Sequence, residues 1–157
     1  MKTLIIYNSV HHKNTEKIAK AMAEILKAKL VKPEKVDLKS INEYDLIGFG
    51  SGIYFSMHHE SLFNVLDKIP KMTNKKAFIF ATSGSWHIKY FNDFNAPLRK
   101  KLESKGFDII GTFSCRGYDT VGPLKLVGGL NHGRPNEKDI QNAKEFASNL
   151  ITNLTST

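Results

Sequence analysis

Cysteine is almost missing from this chain of 157 residues: Cys115 stands alone. That excludes an internal disulfide framework and a cysteine-built zinc cluster, and it suits a reducing compartment. No apolar run approaches the ~20 residues that a membrane-spanning helix requires. The N-terminus enters a core strand instead of a signal peptide, so a soluble, cytoplasmic protein is expected. Linkers, internal repeats and low-complexity tracts are also missing, which leaves one domain, residues 1–157, large enough to bury a core without staples. Acidic residues are in deficit, 15 against 23 basic ones, for a net charge of +8. The basic residues are spread along the chain, as in Lys68, Lys71, Lys75, Lys76, Arg99, Lys100 and Lys101. Such a solvated surface attracts an acidic protein, a membrane surface or nucleic acid. No nucleic-acid recognition motif accompanies the charge, so no nucleic-acid partner is expected.

What is present is an alternation of strand and helix signals. Leu4, Ile5 and Ile6 form a continuous apolar run, as in a central strand covered on both faces. From Thr15 the period changes, and Ile18, Met22, Ile25 and Leu26 make one helical stripe. Val36-Asp37-Leu38 alternates and reads as an edge strand after Pro33. Tyr44 to Ser51 is a buried strand, followed by a short helix carrying Leu62, Phe63, Leu66 and Ile69 and ended by Pro70. Lys76 to Thr82 is another buried strand. Phe94, Leu98 and Leu102 mark a helix over about 93–104, stopped by Gly106, and Phe107 to Cys115 is the fifth strand. The last helix begins near Asn136, its N-cap, with Ile140, Ala143, Ala147 and Leu150 on the inner face. Five strands joined by right-handed helical crossovers give a doubly wound α/β three-layer sandwich.

Ligands in such sheets bind beyond the carboxyl ends of the strands, where strand order reverses. Three strands end in loops suited to that: Ser9 to Thr15, Ser51 to Ser56, and Thr82 to His87. In a five-stranded parallel sheet of order 2-1-3-4-5 these loops are neighbours. The first has neither the GxxxxGK[ST] of a P-loop nor the GxGxxG of a dinucleotide fold. Its Ser9, Asn14 and Thr15, with the amides of a helix N-terminus, suit a phosphate; equally, Asn14 or Thr15 simply caps the helix.

In the order, spacing and strand context of these three loops the chain resembles the flavodoxin family over essentially its whole length. The resemblance implies FMN as cofactor. The family's phosphate loop is rich in Ser and Thr and carries a Gly; here Ser9, Val10, His11, His12, Lys13, Asn14 and Thr15 occupy it, and no Gly is among them. Ser51, Gly52, Ile53 and Tyr54 match the loop beside the isoalloxazine ring, and Thr82, Ser83, Gly84, Ser85 and Trp86 the loop on its other edge.

An isoalloxazine needs aromatic faces to stack on and backbone groups for its polar edges. Tyr54 and Trp86 are the stacking candidates, the alternative being aromatics that pack a loop. Gly52 and Gly84 permit close approach of the backbone to the ring, or serve as ordinary turn residues. A peptide that turns its carbonyl toward N5 when the flavin is reduced would stabilise the semiquinone. His11, His12 and His87 add positive charge at mildly acid pH or are merely exposed. His58 and His59 resemble a metal pair, but adjacent residues do not share a helix face, so no metal is expected. Cys115 reads as a small buried hydrophobe rather than a redox thiol. Residues 116–135, rich in Gly, form an extended loop that covers the ring, contacts a second copy, docks a partner, or is plain surface.

The leading expectation is an FMN-binding, low-potential electron carrier acting between redox proteins, with acidic partners, as a monomer or homodimer. The alternative is an FMN-dependent oxidoreductase on a quinone-like or porphyrin-like substrate, of the protoporphyrinogen dehydrogenase type. The basic charge points that way, because carrier flavodoxins commonly have acidic surfaces. A receiver-like regulatory domain needs acidic residues where Asn8, Ser9 and Ser51 stand.

Overall fold

The computed structural model describes residues 1–10, 12–84, 93–117 and 132–156. In chain order the elements are β1 (Thr3–Asn8), α1 (Asn14–Leu26), β2 (Lys29–Val31), β3 (Leu46–Tyr54), β4 (Met57–His58), α2 (Glu60–Lys68), β5 (Lys75–Ser83), α3 (Ala96–Ser104), β6 (Phe107–Arg116) and α4 (Glu137–Thr155). Short 3₁₀ turns occupy Pro33–Lys35 and Ile41–Glu43. Five strands pair in parallel in the order β2-β1-β3-β5-β6, and β4 adds antiparallel to the end of β3. Counting parallel strands alone, this is the expected 2-1-3-4-5 order. The added β4 has no counterpart in the sequence reading.

Side-chain alternation along the buried strands builds two cores, one per face. Leu4, Ile6, Ile47, Phe49 and Ile79 pack with Leu62, Leu66, Leu98 and Leu102 of α2 and α3. Ile5, Tyr7, Phe78 and Phe80 pack with Ile18, Met22 and Leu26 of α1 and Ala143, Ala147 and Leu150 of α4. The result is a doubly wound three-layer sandwich. Between its central strands, glycine is a steric requirement. A Cβ on Gly48 would lie 2.3 Å from the Phe78 ring, and one on Gly50 would lie 2.1 Å from the Phe80 ring.

Several boundaries differ from the sequence reading, among them the ends of β3, which runs Leu46–Tyr54 instead of Tyr44 to Ser51. The edge strand is Lys29–Val31, not Val36 to Leu38. The latter follows a 3₁₀ turn started by Pro33, and the Asp37 side chain accepts the Lys39 amide at 3.0 Å, which closes a local turn and makes ladder pairing unnecessary. Helix α3 starts at Ala96 rather than near Asp93, with Pro97 in its first turn, where a missing amide hydrogen is harmless. Neither Asn14 nor Thr15 caps α1, because Lys13, in the left-handed conformation, holds the N-cap position. Asn136 does cap α4, in a reciprocal pair with Asp139 whose two bonds measure 3.1 and 2.8 Å.

Replacing Gly50 by Ala should destabilise the protein by about 1–3 kcal/mol, the usual cost of overpacking a core. Urea unfolding reads this directly: the midpoint falls, and an unchanged midpoint would mean that the Phe80 ring moves aside freely.

Candidate functional site

The ladder register aligns the ends of three strands. Asn8 of β1 stands opposite Ser51 of β3, and Gly52 opposite Thr82 of β5. The first loop departs from β1 at this level. His12 and Lys13 both adopt positive φ, 52° and 53°, which is the conformation a glycine would take most easily. The expected Gly is therefore replaced by two strained residues, at a cost on the order of 1–2 kcal/mol each. The turn brings Ser9 back to the helix, where its Oγ accepts the Glu16 amide at 3.3 Å. Asn14 and Thr15 become buried. Thr15 Oγ1 shares a 2.9 Å hydrogen bond with Thr82 Oγ1, joining the first loop to the third. Asn8 Oδ1 is buried beside this loop without a hydrogen-bond partner, an acceptor that a ligand hydroxyl would satisfy.

The second loop is largely strand. Gly52, Ile53 and Tyr54 remain in β3, and Ile53 pairs with His58 and Tyr54 with Met57 across a hairpin. Phe55 and Ser56, the two central turn residues, have φ of 49° and 62°, the signs of a type I′ turn that Asn-Gly would normally fill. Phe55 is thereby fully exposed, with Val10 and Met57 also exposed nearby on the same cavity wall. The Tyr54 ring lies back over Gly52, where an added Cβ would come within 2.9 Å of its hydroxyl, and meets the His59 ring edge-on at 5.4 Å. A cavity of about 710 Å³ opens here, lined mainly by Val10, Tyr54, Phe55, Met57, His59 and Phe63. That size suits a small-molecule site.

Behind the hairpin lies a buried polar chain that the sequence did not announce. His58 Nδ1 is 2.9 Å from Ser51 Oγ, and His58 Nε2 is 2.7 Å from Asn95 Oδ1. Ser51 Oγ also accepts the His59 amide at 2.9 Å and lies 2.7 Å from the Gly52 carbonyl, to which it can donate. Ser51, His58 and Asn95 are all buried, so the serine is not a nucleophile despite its imidazole neighbour. His58 and His59 diverge: the first faces inward, and the second caps α2 by accepting the Ser61 amide. Asn95 sits at the N-cap of α3 without capping it, its side chain facing His58 instead. The signal for His58 was its place in an apolar, strand-forming hairpin. For Asn95 there was none.

In the third loop Thr82 and Ser83 are buried at the end of β5, and Gly84 follows, half-buried. The Ser83 carbonyl accepts the Gly117 amide at 3.0 Å. A Cβ on Gly117 would lie 2.7 Å from Asn14 Nδ2, so only glycine lets the chain after β6 pass this close to the first loop. His11, Ser85, Trp86 and His87, together with most of the 116–135 segment, lie outside the described residues. Together the described groups offer helix-terminal amides and Ser9 for an anion, an orphan acceptor for a hydroxyl, and an aromatic wall for a planar ring.

Burial pushes the His58 imidazole down to about 4, against the opposing pull of the Asn95 hydrogen bond. Burial likewise raises the Cys115 thiol to about 12, leaving it unreactive. Because His58 takes up a proton more readily in the unfolded chain, its contribution to stability is complete above pH 6.5 and declines as pH falls toward 4. The expected loss across that window is on the order of 3 kcal/mol. Urea titrations at stepped pH should show it, and His58→Gln should flatten the slope; an equal slope in both proteins would place the proton elsewhere.

The Flavodoxin domain family matches residues 4–116. An uncharacterized protein of Methanocaldococcus jannaschii is 58% identical over 153 residues, covering 98% of this chain and 100% of that one. Among solved structures, a flavodoxin from the domain Archaea superposes with a TM-score of 0.73 at 15% identity, covering 99% of each chain. The rubredoxin oxygen:oxidoreductase of Desulfovibrio gigas gives a TM-score of 0.74 at 19% identity, with 99% of this chain matching 36% of the larger one. At such low identities these structures establish the fold alone, which is flavodoxin-like. The family match spans most of the chain and includes β1, β3 and β5 with the loops that follow them; this protein belongs to the Flavodoxin domain family.

Proposed function

We propose that the chain binds FMN across the ends of β1, β3 and β5 and carries electrons between redox proteins. The observation that carries this reading is the convergence of three loops at the carboxyl ends of β1, β3 and β5, the first and third of them joined by the Thr15–Thr82 hydrogen bond. Bound FMN would supply a centre that accepts and returns electrons, and the chain's own residues do the rest. Ser9, His11, His12, Asn14 and Thr15, with the first-turn amides of α1, hold the phosphate, and Asn8 Oδ1 accepts from a ribityl hydroxyl. Ser51, Gly52, Ile53 and Tyr54 border one side of the ring, with the half-buried Tyr54 excluding water. Thr82, Ser83, Gly84, Ser85 and Trp86 border the other.

Residues 1–157 act as one unit in this reading. Among the described residues no helix is long and apolar enough to cross a membrane. We place the protein in the cytoplasm, as a monomer or homodimer, with acidic partners that its net charge of +8 attracts. One observation favours a second reading. The apolar cavity of about 710 Å³ beside Tyr54 has room for a substrate as well as a ring edge, as an FMN-dependent oxidoreductase acting on a quinone-like or porphyrin-like compound would need.

Mass spectrometry of the heat-released chromophore should find FMN; FAD, or no flavin after reconstitution, would refute the proposal. Tyr54→Ala should weaken FMN binding by about 1–3 kcal/mol, through lost apolar burial and lost stacking, as read by quenching of flavin fluorescence.

Carrier and enzyme separate by their electron donors. The carrier is reduced slowly by NADH or NADPH alone and rapidly by a ferredoxin-type or flavoprotein donor, with a rate that falls as salt rises. Fast NAD(P)H turnover with a quinone and no added protein selects the enzyme.

A further inference from the structure

Among the described residues four large apolar side chains are exposed, and three of them, Val10, Phe55 and Met57, line one cavity beside Tyr54. Phe55 is 102% exposed at the tip of the hairpin between β3 and β4, at the rim of that hole of about 710 Å³. A knob and a hole on the same face are what a two-fold contact between identical chains requires, because each copy then offers the other what it needs itself. We propose that a second copy of this chain covers this face, with the Phe55 ring of each entering the cavity of the other. The proposal stands without the FMN reading.

The backbone holds the ring out. Phe55 and Ser56 have φ of 49° and 62°, a geometry that Asn-Gly adopts easily and a phenylalanine only under strain. The ring gains nothing from its own chain in return. Every other described phenylalanine is buried or half-buried, so Phe55 is the exception both in backbone and in exposure. Strain that displays an apolar group to water is accounted for when another surface receives it.

Charge selects the occupant. At a net charge of +8, two copies repel wherever lysine faces lysine. The cavity wall carries no lysine and no arginine; its polar members are His58, His59, Glu60 and Asn64. Two copies therefore close here without setting cation against cation. An acidic redox partner is drawn to the lysines instead, and at this face it would meet the exposed carboxylate of Glu60. The contact also completes the site, since the second copy's ring replaces water along the apolar wall beside Tyr54 and Met57.

Sedimentation equilibrium of the full chain, up to about 1 mM, the weak end of specific association, should show monomer and dimer in equilibrium. The dimer should tighten as salt rises, because screening weakens the repulsion between two positive copies. A monomer throughout, or a dimer that salt dissociates, would overturn the proposal. Phe55→Asn removes the knob and suits the turn, so its urea midpoint should equal or exceed that of the wild type while the dimer dissociation constant rises about tenfold or more. An unchanged constant would place the interface elsewhere. The Met57 methyl group reports the contact itself: its carbon-13 NMR signal should shift with concentration in the wild type and stay fixed in Phe55→Asn. In a wild type that stays monomeric, a shift seen only on adding an acidic ferredoxin-type protein would assign the face to that partner, and one seen only on adding FMN would assign the cavity to the flavin. Either result refutes the two-fold contact.

Discussion

The rings of Phe78 and Phe80 lie across the backbone of Gly48 and Gly50 on the neighbouring strand, and the rest of the site depends on that fit. Parallel strands slip easily in the absence of side-chain constraints, and a slip of one residue would turn every apolar group to the wrong face. Here the rings can lie only where β3 has no side chain, which fixes β5 against β3. The fixed register sets Gly52 beside Thr82, and the matching ladder on the other side sets Ser51 beside Asn8. The three loops therefore start from the same level of the sheet before any of them makes a contact of its own.

Much of this was visible in the sequence, for a physical reason. Strands covered on both faces require unbroken apolar runs, and Leu4 to Ile6 or Phe78 to Ala81 admit no other reading once a helix stripe follows. The stripe Ile18, Met22 and Leu26 is buried as the period requires, with Ile25 only half-buried at its margin. What stayed hidden were features set by tertiary context. Val36 and Leu38 alternate because they pack against the core beneath α2 and α3, and burial of one side produces alternation with or without a ladder. Lys29 to Val31 is too short to announce itself, and it is a strand because β1 offers it a partner. His58 and Asn95 are 37 residues apart and meet only when the fold is complete.

The large positive charge does little to hold the fold together. Lys20 pairs with Glu16 at 2.7 Å and Lys144 with Glu24 at 2.8 Å, but Lys20 and Glu24 are largely in water, where such pairs are worth roughly 0–1 kcal/mol. Burial of the two cores is the main source of stability. The charge is thus free to serve encounter, since it can be altered without loosening the sheet.

The hairpin tip has a consequence for motion. A chain built only for stability would place Asn-Gly where Phe55 and Ser56 stand, since both adopt positive φ. The strain at the tip is confined to the two residues beyond the last rung of β3 and β4, so the tip should open and close at a free energy well below that of global unfolding. Amide hydrogens there would exchange early while those of β1 and β5 exchange last. The molecule therefore pairs a fixed ladder with a readily remodelled turn, and a planar guest entering beside Tyr54 would reshape two strained residues without disturbing the sheet that positions them.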